Sequence, residues 1–249
     1  MSIKKEWIVA ERAPDALLKS YRGVSRVIAQ VLYNRGFTTS EQANRFLYVR
    51  NPNELNHQPM QMLDMSRAIG RIRTALLKNE RIAVYGDFDA DGVTSTTLMT
   101  QALRALGANV TPYIPHRIDE GYGLNTPALL KLAERGITLV ITVDCGIRSV
   151  DEVNDARSAG LDVIITDHHS LGDELPNAYA VINPKRTNAS GDYTYPEEML
   201  AGVGVAYKVA EALAMTQAKN GRRGDTRKID LEALLDLVAI GTVADIMPL

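Results

Sequence analysis

The apolar residues of the chain fall into short β-branched runs and into longer stretches with helical spacing, and the two kinds alternate. Four short runs predict strands, and a fifth, from Tyr179 to Ile182, is a further candidate. The four are Ile82 to Tyr85, Val110 to Ile114, Leu139 to Val143 and Val163 to Ile165. The run from Leu139 is apolar without interruption, which is typical of a strand that is buried on both faces of a parallel sheet.

Helical spacing fills the intervals between these runs. The predicted helix ends are marked by glycines, namely Gly107, Gly136 and Gly160. Helix starts are indicated by Thr126-Pro127 and by the pair Ser149 and Glu152, which has the spacing of a capping box. Strands separated by helices predict right-handed βαβ units. The predicted fold class is therefore α/β, a doubly wound, mainly parallel five-stranded sheet with helices on both faces.

The segments that flank this pattern are predicted to be helical. In residues 1–60, Thr38 to Gln42 offers overlapping capping boxes for a helix, and we find no candidate chemistry there. Asp64 is placed to cap the helix that leads into the first strand. Helices around Val205 to Leu213 and Leu231 to Ile240 follow the sheet, with a basic, exposed loop between them. We therefore expect a small helical N-terminal segment, 1–60, and an α/β domain, 61–249.

Composition and charge narrow the class of protein without naming a partner. The chain has 249 residues, of which 45% are hydrophobic, and its net charge is -2. That is enough apolar material for a core, and no basic patch announces nucleic acid. The one cysteine, Cys145, excludes an internal disulfide and agrees with a reducing compartment. Because no secretory signal and no apolar run long enough for a membrane span is visible, we expect a cytoplasmic protein.

Three aspartates alternate directly after the first predicted strand. In an extended chain alternate side chains share a face, so Asp87, Asp89 and Asp91 are expected to converge on one point and to need a cation. A solvated acidic turn is the plain alternative. A calcium loop of the EF-hand type is excluded, because its twelfth position requires Glu and is Leu98 here. What remains is a site for a hard cation at the carboxyl end of a strand.

Further acidic and imidazole groups follow the third and fourth strands. Asp144 ends the third, and Asp167-His168-His169 ends the fourth. Neighbouring residues of an extended segment point opposite ways, so one histidine is expected to bind metal and the other to face substrate. Five carboxylates are too many for one ion, and this donor set suits two Mn²⁺ or Mg²⁺ ions better than Zn²⁺. Cys145 as a zinc ligand is the weaker alternative, because a small buried cysteine more often packs.

These segments resemble the motifs of the DHH phosphoesterase family, and most closely its RecJ branch of single-strand-specific 5′ to 3′ exonucleases. The four that carry the resemblance are Gly-Asp-Phe-Asp-Ala-Asp-Gly, Val-Asp-Cys-Gly-Ile, Thr-Asp-His-His and Gly-Thr-Val-Ala-Asp. Supporting segments lie at residues 115–124, 182–184 and 200–206. The likeness runs from about residue 20 to residue 249.

The resemblance implies a role for each matching position. The implied metal ligands are Asp87, Asp89, Asp91, Asp144 as a bridge, His168 and Asp245. His169 would contact the scissile phosphate. Asp167 would lie next to the metal ligands and hold a histidine in its orientation. The implied substrate contacts are Arg117, Asn183, Gly202 and Gly204, the glycines by letting backbone N–H groups approach a phosphate.

The implied activity is two-metal hydrolysis of single-stranded DNA that releases 5′-mononucleotides, in DNA repair and recombination, with no covalent enzyme intermediate. Single-stranded DNA is the expected partner, with a single-strand-binding protein or a helicase as further candidates. Longer family members carry a DHH-associated domain and an oligonucleotide-binding barrel, and neither is expected in this sequence. Two rivals stay open: another DHH phosphoesterase (a manganese pyrophosphatase, a cyclic-dinucleotide phosphodiesterase or an oligoribonuclease), and a non-catalytic replication scaffold.

Overall fold

A computed structural model of the protein describes residues 8–48, 57–116, 121, 123–220 and 227–248. The chain divides into two compact units, Met1–Asn56 and His57–Leu249. The smaller unit contains three helices, α1 Asp15–Ser20, α2 Arg26–Asn34 and α3 Ser40–Leu47. Its core consists of Tyr21, Ala29, Leu32 and Ala43. The capping box predicted for α3 is confirmed, with Thr39 at the N-cap and Gln42 reaching back to it.

The larger unit is built on a five-stranded sheet whose neighbouring strands all run parallel. The strands are β1 Arg81–Gly86, β2 Asn109–Tyr113, β3 Ile137–Val143, β4 Asp162–Thr166 and β5 Ala180–Ile182. Their order in the sheet is β2-β1-β3-β4-β5. The chain therefore leaves β1 toward one side for β2 and returns to the other side for β3, so a crevice opens between the carboxyl ends of β1 and β3.

The described residues of the larger unit form six helices. They are α4 Met65–Lys78, α5 Ala90–Ala105, α6 Thr126–Glu134, α7 Val150–Ser158, α8 Gly202–Asn220 and α9 Leu235–Ala244. Short 3₁₀ turns at Pro59–Gln61 and Glu232–Leu234 precede α4 and α9. No helix in the ranges described above is both long and apolar enough to cross a bilayer.

The two faces of the sheet are covered by different helices, as the alternation of side chains along each strand requires. Ile82 and Val84 of β1 lie in one core with α4, α5 and α8, whereas Ala83 and Tyr85 lie in the other core with α6 and α7. The predicted α/β fold with helices on both faces is therefore confirmed.

Two predicted helix caps do not form. Asp64 precedes α4 but makes no cap; its carboxylate instead accepts hydrogen bonds from the Val181 N–H at 3.2 Å and from Arg186 at 2.8 Å. Ser149 likewise makes no side-chain cap on α7, so the predicted capping box is wrong. In both places the residue type matched a local pattern, but the surrounding structure gave the backbone a different geometry.

Candidate metal centre

The carboxyl ends of three neighbouring strands lie level with one another. Gly86 pairs with Val143, and Val143 pairs with Thr166, so the residues that follow these strands emerge side by side. Three groups of ligand atoms, each within 4.8 Å of one another, form at this edge. The groups are Asp87 with Asp89 and Asp144, Asp91 with His168 and Asp245, and Asp144 with His168 and His169. Asp144 and His168 each belong to two of the groups, and these two residues therefore join all three into one cluster.

Asp144 is a buried carboxylate without a hydrogen-bond partner among the described residues. It is 1% exposed, and neither of its carboxylate oxygens has a hydrogen-bond partner in the described part of the chain. Its backbone is left-handed, with φ of 61°, a conformation that aspartate tolerates better than most residues. Burial, together with the charges of Asp91 and Asp89, raises the pKa of Asp144 to about 10. A cation between these groups would reverse that penalty, because it favours the ionised form.

His168 is buried against the same point. Its Nε2 lies 3.1 Å from Asp144 Oδ1, 3.6 Å from Asp245 Oδ2 and 3.7 Å from Asp91 Oδ2. Neither ring nitrogen has a hydrogen-bond partner among the residues described, and the 3.1 Å approach to Asp144 lacks hydrogen-bond alignment. An unpartnered buried imidazole surrounded by carboxylate oxygens is the arrangement expected of a metal ligand.

Asp87 and Asp89 form the other side of the cluster. Asp87 is 1% exposed; its Oδ1 accepts the Phe88 N–H at 2.7 Å, and its Oδ2 has no partner among the described residues. Burial raises the pKa of Asp87 above its usual value. Asp89 is exposed, and it is the N-cap of α5, where its Oδ1 accepts the Gly92 N–H at 2.8 Å. Asp89 therefore combines a structural role with a ligand position.

Asp91 does not share a point with Asp87 and Asp89, and that expectation is wrong. The helix α5 begins at Ala90, so Asp91 lies in its first turn and not in extended chain. Its two carboxylate oxygens accept the N–H groups of Gly202 at 2.7 Å and Val203 at 2.8 Å, at the start of α8. Burial raises the pKa of Asp91, although these two hydrogen bonds oppose the shift. Asp91 thus lies on the His168 side of the cluster.

Asp167 and His169 form a pair beside the cluster. Oδ1 of Asp167 lies 2.8 Å from His169 Nδ1, and its Oδ2 accepts the Ile147 N–H at 2.9 Å. Burial alone would raise the pKa of Asp167, but the bonds from His169 and from backbone N–H groups outweigh it, so the pKa is lowered. The same contact with Asp167 raises the pKa of His169. With 43% of its side chain exposed, His169 can reach a molecule outside the cluster.

Three of the four predicted substrate contacts lie within the described residues. The Gly202 N–H donates to Asp91, and a Cβ at this position would lie 2.6 Å from Asp144 Cβ, so Gly202 allows α8 to pack closely against the cluster; its contact with a phosphate stays a prediction. Gly204 is buried against Leu200. Asn183 is 1% exposed. Its side-chain N–H donates to the His169 carbonyl and its side-chain oxygen accepts from the Lys185 N–H, so Asn183 links the backbone at these two residues. Arg117 lies outside the described residues.

Some residues that build the centre were not found from sequence. Ile147 and Val203 act through backbone N–H groups, for which the side chain gives no signal. Gly241 lets α9 approach α5, because a Cβ there would lie 2.5 Å from Thr94 Oγ1. A glycine within an otherwise apolar helix was the available clue. Cys145 is buried in the core of the opposite face and belongs to none of the described metal-binding groups.

The model of the DHH family, N-terminal domain, matches residues 81–242, which include the strand ends that form this centre. The chain belongs to the DHH family. The resemblance to this family is therefore confirmed, and the DHH motifs are the segments that supply the clustered side chains.

Curated and structural relatives agree with this assignment. The single-stranded-DNA-specific exonuclease RecJ of Bacillus subtilis is 43% identical over 100% of this chain and 30% of its own length. The crystal structure of RecJ in complex with Mn²⁺ from Thermus thermophilus matches with a TM-score of 0.67 and 30% identity, over 94% of this chain and 31% of that chain. The Mg²⁺ complex from the same species matches with a TM-score of 0.55 and 27% identity, over 94% and 27%. This DHH chain thus spans about 30% of the length of the curated relative.

Proposed function

We propose that this chain is the catalytic portion of a RecJ-type exonuclease that hydrolyses single-stranded DNA from its 5′ end with two divalent cations, Mn²⁺ or Mg²⁺, and releases 5′-mononucleotides. The observation that carries the proposal is the set of buried, unpartnered oxygen and nitrogen atoms around Asp144 and His168. The identity to single-stranded-DNA-specific exonucleases supports the choice of substrate. By the same likeness, we place the activity in DNA repair and recombination.

The donor atoms fit two hard cations. Asp87, Asp89 and Asp144 would hold the first, and Asp91, His168 and Asp245, together with Asp144, would hold the second. A set rich in carboxylate oxygen with one imidazole favours Mn²⁺ or Mg²⁺ over Zn²⁺. When bound, such a pair of cations supplies Lewis acidity at the phosphoryl group and acidifies the attacking water.

The residues beside the cluster would position the substrate. Asp167 holds His169 through Nδ1, which directs Nε2 away from Asp167 and toward the open side of the site. The contact with Asp167 raises the pKa of His169, which favours the protonated ring, and the protonated ring would donate to a phosphate oxygen. Asn183 fixes the backbone of His169 and thereby the placement of this donor. The predicted phosphate contact of Arg117 stays a prediction.

The test is a nuclease assay on 5′-phosphorylated single-stranded DNA with Mn²⁺. We expect release of mononucleotides by the unaltered chain and a loss on the order of a thousandfold in Asp144→Asn, because a ligand shared by both cations is removed. The matched control is Asp173→Asn, an exposed aspartate outside the three ligand groups, which should keep full activity. Cleavage of pyrophosphate or of a dinucleotide instead of DNA would replace the proposal by another DHH phosphoesterase. Inertness toward all three would favour the non-catalytic scaffold.

Three further predictions belong to this proposal. They are a cytoplasmic location, a single-strand-binding protein or helicase as partner, and a domain boundary near residue 60. The first agrees with the single, buried Cys145.

A further inference from the structure

A cavity of about 460 Å³ opens beside His169. Its walls include Leu124, the turn between β3 and α7 from Gly146 to Ser149, and Glu152 in the first turn of α7. The volume falls within the range of small-molecule sites, about 300–1,000 Å³. Because Asp167 and His169 also line it, the cavity is continuous with the proposed reaction centre.

The inner wall of the cavity is the packed core. Leu124 and Ile147 line the cavity but are only 5% and 2% exposed, so both side chains lie mostly within the core behind it. Gly146 lies in the same turn with φ of 106°, and a Cβ there would lie 3.1 Å from Leu124 Cδ1 and 3.2 Å from Thr142 Oγ1. The groups that a ligand can reach are therefore those of the rim.

The rim of the cavity is polar and carries both signs of charge. Arg148 donates from Nε to the Ser170 carbonyl at 3.0 Å, and no other partner of its guanidinium is found in the described part of the chain. The stem of Arg148 lies against Gly172, where a Cβ would come 3.6 Å from its Cγ. The guanidinium is thus held in place with its terminal amino groups available for a ligand.

Ser149 and Glu152 complete the rim. Ser149 makes no cap on α7, so its hydroxyl is not committed to the helix. The carboxylate of Glu152 would repel a phosphate group, which argues against a second phosphate site in this cavity. A donor, a hydroxyl and an acceptor on one rim match the polar edge of a nucleobase.

We propose that this cavity holds the base of the terminal nucleotide, with the edge of the base toward Arg148, Ser149 and Glu152. The inference rests on the proposed function and deepens it, because the cavity lies one side chain away from the centre at which the phosphodiester would be cut. The base would then anchor the nucleotide that is released. Arg148 and Glu152 are positioning residues in this arrangement.

The test compares two 5′-phosphorylated oligonucleotides, one that ends in thymidine and one that ends in an abasic deoxyribose. We expect the unaltered chain with Mn²⁺ to prefer the first by about tenfold in kcat/KM, which corresponds to the contribution of one bound base. Arg148→Ala and Glu152→Gln should reduce that preference by raising KM for the thymidine substrate only. The matched control is Arg157→Ala, since Arg157 lies on α7 and also donates to a backbone carbonyl, that of Asn177 at 3.1 Å.

The outcomes separate this inference from the proposed function. Equal cleavage of both oligonucleotides, or an equal loss on both in Arg148→Ala, overturns the base site while the exonuclease stands. If neither oligonucleotide is cleaved, the proposed function fails. Calorimetric titration of the Mn²⁺-loaded chain then tests whether the cavity binds a base. Tighter binding of thymidine 5′-monophosphate than of deoxyribose 5-phosphate, lost in Arg148→Ala, then supports the base site, and equal binding overturns it.

Discussion

The two edges of the central sheet treat their carboxylates in opposite ways. At the amino-terminal edge, Glu80 and Asp162 both pair with Arg71, at 2.6 Å each. Thr138 also donates to Glu80 at 2.8 Å. At the carboxyl-terminal edge, Asp144 has no hydrogen-bond partner on either oxygen among the residues described.

The pKa directions follow this difference. Burial alone would raise the pKa of Glu80, but the hydrogen bonds from Arg71 and Thr138 outweigh the effect of burial, so this pKa is lowered. Burial raises the pKa of Asp144, of Asp91 and of Asp87, and no lysine or arginine of the described ranges is among the groups that offset it. One edge is thus neutralised by the chain's own cation, whereas the other requires a cation from solution. The carboxylates of the second edge are built for binding and not for stability.

The largest expected effect is on the pH dependence of the metal-free protein. Because the pKa of Asp144 rises from 3.8 to about 10 on folding, the folded state binds more protons between these values. The free energy of unfolding should therefore fall by several kcal/mol as pH rises through this window. Urea unfolding from pH 5 to pH 9 measures the slope, which Asp144→Asn should flatten and Mn²⁺ should also flatten. A slope of the opposite sign would contradict the contrast between the edges.

The next effect concerns the amino-terminal edge of the sheet, where Arg71 pairs with Glu80 and Asp162. Arg71→Met leaves Glu80 and Asp162 without their cation and should cost about 3 kcal/mol at pH 7, the low end for buried pairs because Asp162 is 43% exposed. The loss should shrink below pH 4.5, where protonation of Glu80 removes the advantage of its lowered pKa. The control is Arg73→Met. Arg73 lies on the same helix and has no ion pair among the described residues. Equal unfolding free energies for the two variants would refute this role of Arg71.

Added Mn²⁺ should distinguish the edges directly. At a concentration 100 times its dissociation constant, a cation that binds only the folded state adds about 2.7 kcal/mol of stability per site. Thermal unfolding of Asp144→Asn should show almost none of this gain, while Glu80→Gln should keep it in full. The same dependence on Mn²⁺ in both variants would mean that the cation binds elsewhere.

The smallest effect tests how α9 delivers Asp245 to the centre. In Gly241→Ala the new methyl group would lie 2.8 Å from Asp91 Oδ1, so α9 must shift and carry Asp245 away from His168. We expect about tenfold weaker Mn²⁺ binding and about 1 kcal/mol less stability, as for mild overpacking. The matched control is Gly70→Ala, because a Cβ at residue 70 meets nothing within 4 Å. This substitution should stabilise α4 by about 0.5 kcal/mol. Calorimetric titration with Mn²⁺ checks both variants, and unchanged binding in Gly241→Ala would refute the role of this glycine.

Strands and helices of the larger unit were predictable because their signals are local. The apolar runs at Leu139 and Val163 lie within β3 and β4, and Gly107 follows the end of α5 with the positive φ that such an end favours. Predicted boundaries differ from the observed ones by a few residues. The caps at Asp64 and Ser149 failed, because a cap also depends on how the preceding loop is held.

The chemical types at the strand ends were determined by the sequence alone, since any parallel sheet places Asp87, Asp144 and Asp167 at one edge. Only the tertiary structure decided how they divide. Asp91 turned toward His168 because α5 begins at Ala90 and because α8, 111 residues further on, supplies the N–H of Gly202. Such contacts join distant segments through packing and backbone hydrogen bonds, which leave no periodicity in the sequence, so the grouping of ligands had to come from the fold.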